Sequence, residues 1–172
     1  ASGSMSARHR MEATKAAVLS LLRDSYIHRD SVGLIAFRKE SAEVLLPFTR
    51  SVERAERLLA TLPTGGKTPL AQGLRTAYTM CDRLLRKHSA ERIQIICITD
   101  GRATSGDSEE PVAEAKQWAR ILGTLPVDCI VIDTETGFIK LGLAKKLCQL
   151  MNGSYYAMDT ISAERILRVS RR

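Results

Sequence analysis

Residues 92–101 read Arg-Ile-Gln-Ile-Ile-Cys-Ile-Thr-Asp-Gly, and nearly every position up to Thr99 is apolar or β-branched. A surface strand alternates polar and apolar residues, whereas a run that is apolar on both faces is the pattern of a strand buried inside a parallel sheet. Asp100-Gly101 then closes it with a turn pair. Working outward, residues 127–133 (VDCIVID) and 31–37 (SVGLIAF) have the same character, and 154–158 (SYYAM) is a shorter version. Apolar residues recur at helical spacing over 8–25, 51–62, 69–87, 109–122, 141–151 and 162–169, so strand and helix alternate along the chain. Ser51 is placed to cap the second helix and Pro69 to occupy the first position of the third. Residues 42–48 form a further strand that stops at Pro47. The few residues separating it from 31–37 suit a hairpin, which makes it an antiparallel edge strand. The pattern predicts a doubly wound α/β fold with a mainly parallel sheet, helices on both faces and one antiparallel edge strand.

With 172 residues, 44% hydrophobic and 26% charged, the chain has the size and composition of one folded domain spanning 1–172. No stretch approaches the roughly 18 consecutive apolar residues of a membrane helix, and no basic-then-apolar leader opens the sequence. A cytoplasmic protein with no membrane partner is expected. The net charge of +7 leaves an anionic partner open. Cys81, Cys97, Cys129 and Cys148 are 16, 32 and 19 positions apart, with no CxxC pair and no histidine nearby to complete a zinc site. They read as reduced thiols, Cys97 and Cys129 in the core.

Ligands of doubly wound sheets sit at the carboxyl ends of the strands. Three segments there place oxygen-bearing residues beside glycine: Ser2-Gly3-Ser4 just before the first helix, residues 64–68 (TGGKT), and Thr99-Asp100-Gly101. Hydroxyl and carboxylate oxygens suit a hard octahedral cation such as Mg²⁺. The Gly66-Lys67-Thr68 run lacks the first glycine of a phosphate-binding loop, since position 61 is threonine, so no nucleotide is expected. Ser2 and Ser4 are not in a nucleophile elbow, and His9, His28 and His88 fall outside the strand-end loops, which argues against a serine hydrolase. Trp118, Tyr155 and Tyr156 are few and explained by packing, so nucleic-acid binding is the weaker alternative. Thr68 and Asp100 each have a plain structural reading as well, a helix-capping hydroxyl and a strand-end turn residue.

Taken together, Ala1-Ser2-Gly3-Ser4-Met5 ahead of a helix, TGGKTPL with Thr68, and ITDG with Asp100 resemble the metal-ion-dependent adhesion site of von Willebrand factor A domains, written D-x-S-x-S, T, D. The stretches ARHRMEATKAAVLSLL, DSVGLIAF, LPTGGKTPLAQGL and VIDTETGFIKLGLAKKL resemble, more specifically, the C-terminal domain of the magnesium chelatase D subunit. Domains of cobalt chelatase subunits are closely similar. The resemblance implies that Ser2, Ser4, Thr68 and Asp100 hold Mg²⁺, or Mn²⁺ in its place; their neighbourhood in the same segments makes Met5, Lys67 and Arg102 the expected partner-binding rim. It implies a domain that is not catalytic alone. Its function would be metal-dependent protein–protein interaction within an ATP-dependent chelatase inserting Mg²⁺ into protoporphyrin IX, or in a cobalt chelatase of cobalamin synthesis. The implied partners are an AAA+ ATPase subunit, a large porphyrin-binding subunit and an acidic segment that donates a carboxylate. The family's first ligand is an Asp directly before the residue matching Ala1, at the end of a first central strand. The given chain is therefore expected to be the C-terminal fragment of a longer protein. Ser-Gly-Ser-Met also has the look of a cloning remnant ahead of an initiating Met5, and that alternative stays open.

Overall fold

The computed structural model describes residues 2–38, 41–61, 67–107, 109–135 and 141–158, with side chains from residue 11 onward. In chain order the elements are α1 (Ser2–His28), β1 (Val32–Arg38), β2 (Ser41–Thr49), α2 (Val52–Ala60), α3 (Leu70–Lys87), β3 (Gln94–Thr99), α4 (Pro111–Leu122), β4 (Asp128–Asp133), α5 (Leu143–Leu150) and β5 (Ser154–Ala157). The expected alternation is present. The strands form a parallel sheet in the order β3-β4-β5 and an antiparallel pair β1-β2. The described residues fall into two compact units, one from residues up to 34 and from 44 to 61, the other from 35 to 43 and from 67 to 158.

In the first unit, Val52, Ala55, Leu58 and Leu59 recur at helical spacing and give α2 an apolar stripe. That stripe packs with Val18, Leu19 and Leu22 of α1, Val32 and Leu34 of β1 and Leu46 of β2. Leu46 and Ala55 are fully buried. Removing a leucine side chain from water in this way is worth about 1.5–3 kcal/mol. An exposed bond from Arg23 Nε to Glu56 Oε1, 3.3 Å, adds a minor link between α1 and α2.

In the second unit the register aligns Ile95 with Cys129, Cys97 with Val131, Thr99 with Asp133 and Val131 with Tyr155. Side chains alternate faces along a strand, so Ile95, Cys97, Cys129, Val131 and Tyr155 share one face. Onto it pack Leu70 and Leu74 of α3, Leu122 of α4 and Leu147 of α5. Ala71, Ala115, Ala119 and Ala144 are all fully buried, which lets the helices approach closely. Gly73 has the same function in the extreme. A Cβ there would lie 2.7 Å from the Phe37 ring, so α3 can lie on β1 only if position 73 has no side chain.

Some details differ from the sequence-based expectation. The first helix begins at Ser2, not at residue 8, because one glycine and no proline interrupt residues 2–10; Ser2-Gly3-Ser4 is therefore in the first turn of α1 instead of a preceding loop. Strand β2 runs through Pro47 to Thr49, which is tolerated because Pro47 is exposed on a strand with a single partner. Ser51 occupies the N-cap position of α2 but makes no side-chain capping bond, and its N–H instead donates to Thr49 Oγ1 at 3.1 Å. Pro69 precedes α3 as its N-cap residue and does not take the first helical position. The stretch at 92–101 is the largest departure in burial. Ile95 to Ile98 are half-buried, while Cys129 to Asp133 of β4 are fully buried, because β3 is at the edge of its sheet and β4 is in the middle. The expected closing helix at 162–169 and the glycine-rich turn at 62–66 lie outside the described residues. Among the described residues no helix is long and apolar enough to cross a membrane.

Candidate metal site

At the carboxyl end of the parallel sheet, two loops of the second unit are joined by a reciprocal clasp. The Thr68 N–H donates to Thr104 Oγ1 at 2.8 Å, and the Thr104 N–H returns a bond to the Thr68 carbonyl at 3.2 Å. Thr104 is four residues after Asp100, so the clasp holds the loop before α3 against the loop after β3. It uses the backbone of Thr68 and not its hydroxyl. Nor does that hydroxyl cap α3, whose start has no side-chain capping bond. Thr68 is half-buried, and its hydroxyl has no hydrogen-bond partner among the described residues.

Asp100 is half-buried where β3 ends. Its Oδ1 accepts the Arg102 N–H at 3.1 Å, an Asx turn, and its Oδ2 lies 3.8 Å from Arg102 Nε. The turn depends on Gly101, which has φ +69° and whose absent Cβ would sit 3.0 Å from the Ala144 nitrogen at the start of α5. The Gly101 N–H donates to Thr99 Oγ1 at 3.1 Å, and the Thr99 carbonyl accepts the Thr134 N–H at 2.9 Å, which ties the ends of β3 and β4 together. Farther along the same loop, Asp107 accepts bonds from Gln72 Nε2 at 2.6 Å and Arg75 Nη1 at 2.7 Å, so the loop is also stapled to α3.

Sequence reasoning missed two buried acids beside this loop. Asp133, 3% exposed, accepts the Tyr155 hydroxyl at 2.7 Å and the Glu135 N–H at 2.8 Å. Glu135, 8% exposed, accepts the N–H groups of Leu141 at 2.8 Å and Gly142 at 3.4 Å, directly before α5. The D-T-E triplet at the end of an apolar strand was the available signal. These carboxylates are occupied by donors of the fold itself, and they position Tyr155 and the start of α5.

The four cysteines are free thiols, and Cys81, Cys129 and Cys148 are buried as core residues. Burial pushes Cys97 up to about 12 and Cys81 and Cys129 up to about 11, and raises Cys148 as well. A protonated thiol is a poor ligand and nucleophile. Among the described residues no group of three or more His, Cys, Asp and Glu is placed to hold a metal. What remains is a hydroxyl and a single carboxylate, Thr68 and Asp100, both hard oxygen donors of the kind Mg²⁺ takes. The side chains of Ser2, Ser4 and Met5 lie outside the described residues, so their relation to this pair is not part of the geometry. Lys67 is exposed on the clasped loop, and Arg102 is 59% exposed beside Asp100. His88 is exposed, and His28 bonds back to the Asp24 carbonyl at the end of α1, both far in sequence from the strand-end loops. Trp118 packs against Tyr78 with ring centroids 6.1 Å apart, a packing role.

Residues 1–102 match the von Willebrand factor type A domain family model. An uncharacterised protein of Methanocaldococcus jannaschii is 41% identical over 166 residues, an alignment covering 96% of this chain and 95% of that protein. The magnesium-chelatase 67 kDa subunit of Chlorobaculum tepidum is 40% identical over 182 residues, covering 99% of this chain but 29% of that subunit. The chain thus spans under a third of the chelatase relative's length. Among solved structures, the VWA domain of SpRpn10 superposes with a TM-score of 0.66 at 15% identity, covering 92% of this chain and 82% of that one, a likeness of fold alone. Family model, fold and identity agree: the chain belongs to the von Willebrand factor type A domain family and is homologous to magnesium-chelatase subunits.

Proposed function

We propose that this chain is a metal-dependent docking module of a chelatase-type assembly, with Mg²⁺, or Mn²⁺ in its place, as its resident ion. The observation that carries the reading is the clasp between Thr68 and Thr104, which sets a hydroxyl donor beside the loop bearing the Asp100 carboxylate at the carboxyl end of the sheet. Homology to magnesium-chelatase subunits supplies the setting. Thr68 and Asp100 would hold the ion. The bound ion would supply a positive centre with an open position for one carboxylate of an acidic partner. The chain's own residues do the rest. Asp100 is oriented by the Arg102 N–H, Thr68 is fixed by Thr104, and Lys67 and Arg102 place positive charge at the rim. The role proposed for the chain is binding, with ATP hydrolysis and porphyrin binding assigned to an AAA+ subunit and a large subunit of the assembly.

The test immobilises the chain and flows over it the ATPase subunit of a magnesium chelatase, with Mg²⁺ or with EDTA. Binding is expected with Mg²⁺, and loss of at least about tenfold in affinity with EDTA or with Asp100→Ala, the effect of removing a charged ligand from a shared site. Binding that survives both treatments unchanged overturns the proposal.

A further inference from the structure

Asp100 is not bare. Its Oδ2 lies 3.8 Å from Arg102 Nε while its Oδ1 is held by the Arg102 backbone N–H. The two bonds differ in kind. The backbone bond fixes the carboxylate's direction and survives any change of side-chain rotamer. The guanidinium contact is long, and the Arg102 side chain is 59% exposed, so it can leave at little cost. On the metal reading above, the same carboxylate must serve a divalent cation, and two cations cannot share one carboxylate without repulsion.

We infer that Arg102 is an exchangeable counter-ion for Asp100: its guanidinium pairs with the carboxylate in the absence of metal, is displaced when the carboxylate takes a divalent cation, and is thereby freed to bind a carboxylate of the docking partner. The inference rests on the metal reading and deepens it. It makes partner affinity depend on the cation twice, once through the ion and once through the release of Arg102. Arginine suits this because its planar fork can pass from one carboxylate to another without changing charge. Gly101 keeps the two groups in register, since its φ of +69° turns residue 102 back toward residue 100.

The experiment titrates MgCl₂ into the whole chain and into Arg102→Gln by calorimetry, with Arg120→Gln as a charge-matched control. Arg120 is in the last turn of α4, which leads into the start of β4, the opposite end of the sheet. Arg102→Gln is expected to bind Mg²⁺ about three- to tenfold more tightly, the effect of deleting one cation a few ångströms away in an exposed site. The control should change affinity less than about twofold. In the unmutated chain, the Nε–Hε resonance of Arg102 should shift with the same midpoint as the calorimetric isotherm. Equal Mg²⁺ affinities in Arg102→Gln and the unmutated chain, or an Nε–Hε resonance that ignores saturating Mg²⁺, overturn the counter-ion role while leaving the metal reading standing. No Mg²⁺ binding in either protein refutes the metal reading and the inference with it.

Discussion

Gly101 and Gly142 are a natural controlled pair. Both have positive φ, +69° and +68°, and both belong to the second unit. They differ in space: a Cβ at 101 would lie 3.0 Å from the Ala144 backbone nitrogen and 3.4 Å from its Cβ, while a Cβ at 142 would meet nothing within 4 Å among the described residues. Gly142→Ala therefore isolates the dihedral cost. An L residue in the left-handed region costs about 1–2 kcal/mol, and the stiffer unfolded chain returns about 0.4–1 kcal/mol, leaving about 0.5–1 kcal/mol of destabilisation. Gly101→Ala carries the same term plus crowding against backbone that cannot rotate away, about 1–3 kcal/mol, for a total near 3 kcal/mol. The assay is urea unfolding followed by the fluorescence of the single tryptophan, Trp118, on α4 of the same unit. With a slope of about 2 kcal/mol/M, the midpoint falls by about 1.5 M for Gly101→Ala and by under about 0.5 M for Gly142→Ala. Equal shifts, or a larger one at 142, would show that φ alone governs both sites and that α5 does not press on the Asp100 turn.

Other outcomes are expected from the buried groups. At pH 8 the buried thiols Cys81, Cys129 and Cys148 should resist iodoacetamide and become reactive in urea, counted by mass spectrometry; rapid native labelling of Cys129 would contradict its burial. Because folding raises Cys81, Cys97 and Cys129 from 9.0 to about 11 or 12, the folded state holds protons that the unfolded state has released. Their contribution is complete below pH 9 and is lost as pH rises toward 12, so the urea midpoint should fall over that window. Tyr155→Phe removes the hydroxyl that donates to Asp133 and should cost about 1–3 kcal/mol in the same assay, while an effect below about 0.5 kcal/mol would mean that water replaces it.

The elements were legible in the sequence because their periods are unambiguous: the run of Ile and Val in β4 and the Leu-Ala spacing of α3 leave no competing reading. Boundaries shifted where a rule of thumb met context. Pro47 breaks a central strand but not one with a free side, and Ser51 has capping chemistry but found Thr49 as a partner for its own N–H. Strand order was not legible, and it is what separates β3 from β4 in burial despite their similar composition. For the site, Thr68 and Asp100 were visible as residue types at strand and helix ends. The Thr104 clasp and the Tyr155 bond to Asp133 were not, since each joins residues far apart in the chain, while the acids Asp133 and Glu135 had only the D-T-E triplet as a signal.

The clasp between Thr68 and Thr104 also couples the loops to the helix between them. It closes a loop of 36 residues with two hydrogen bonds, and the residues inside that loop are α3 and β3. Two such bonds cannot repay the closure entropy by themselves. They hold only while α3 is packed on the sheet and keeps the ends together. The clasp therefore opens when α3 loosens, so readiness to bind is a report on the state of the whole second unit.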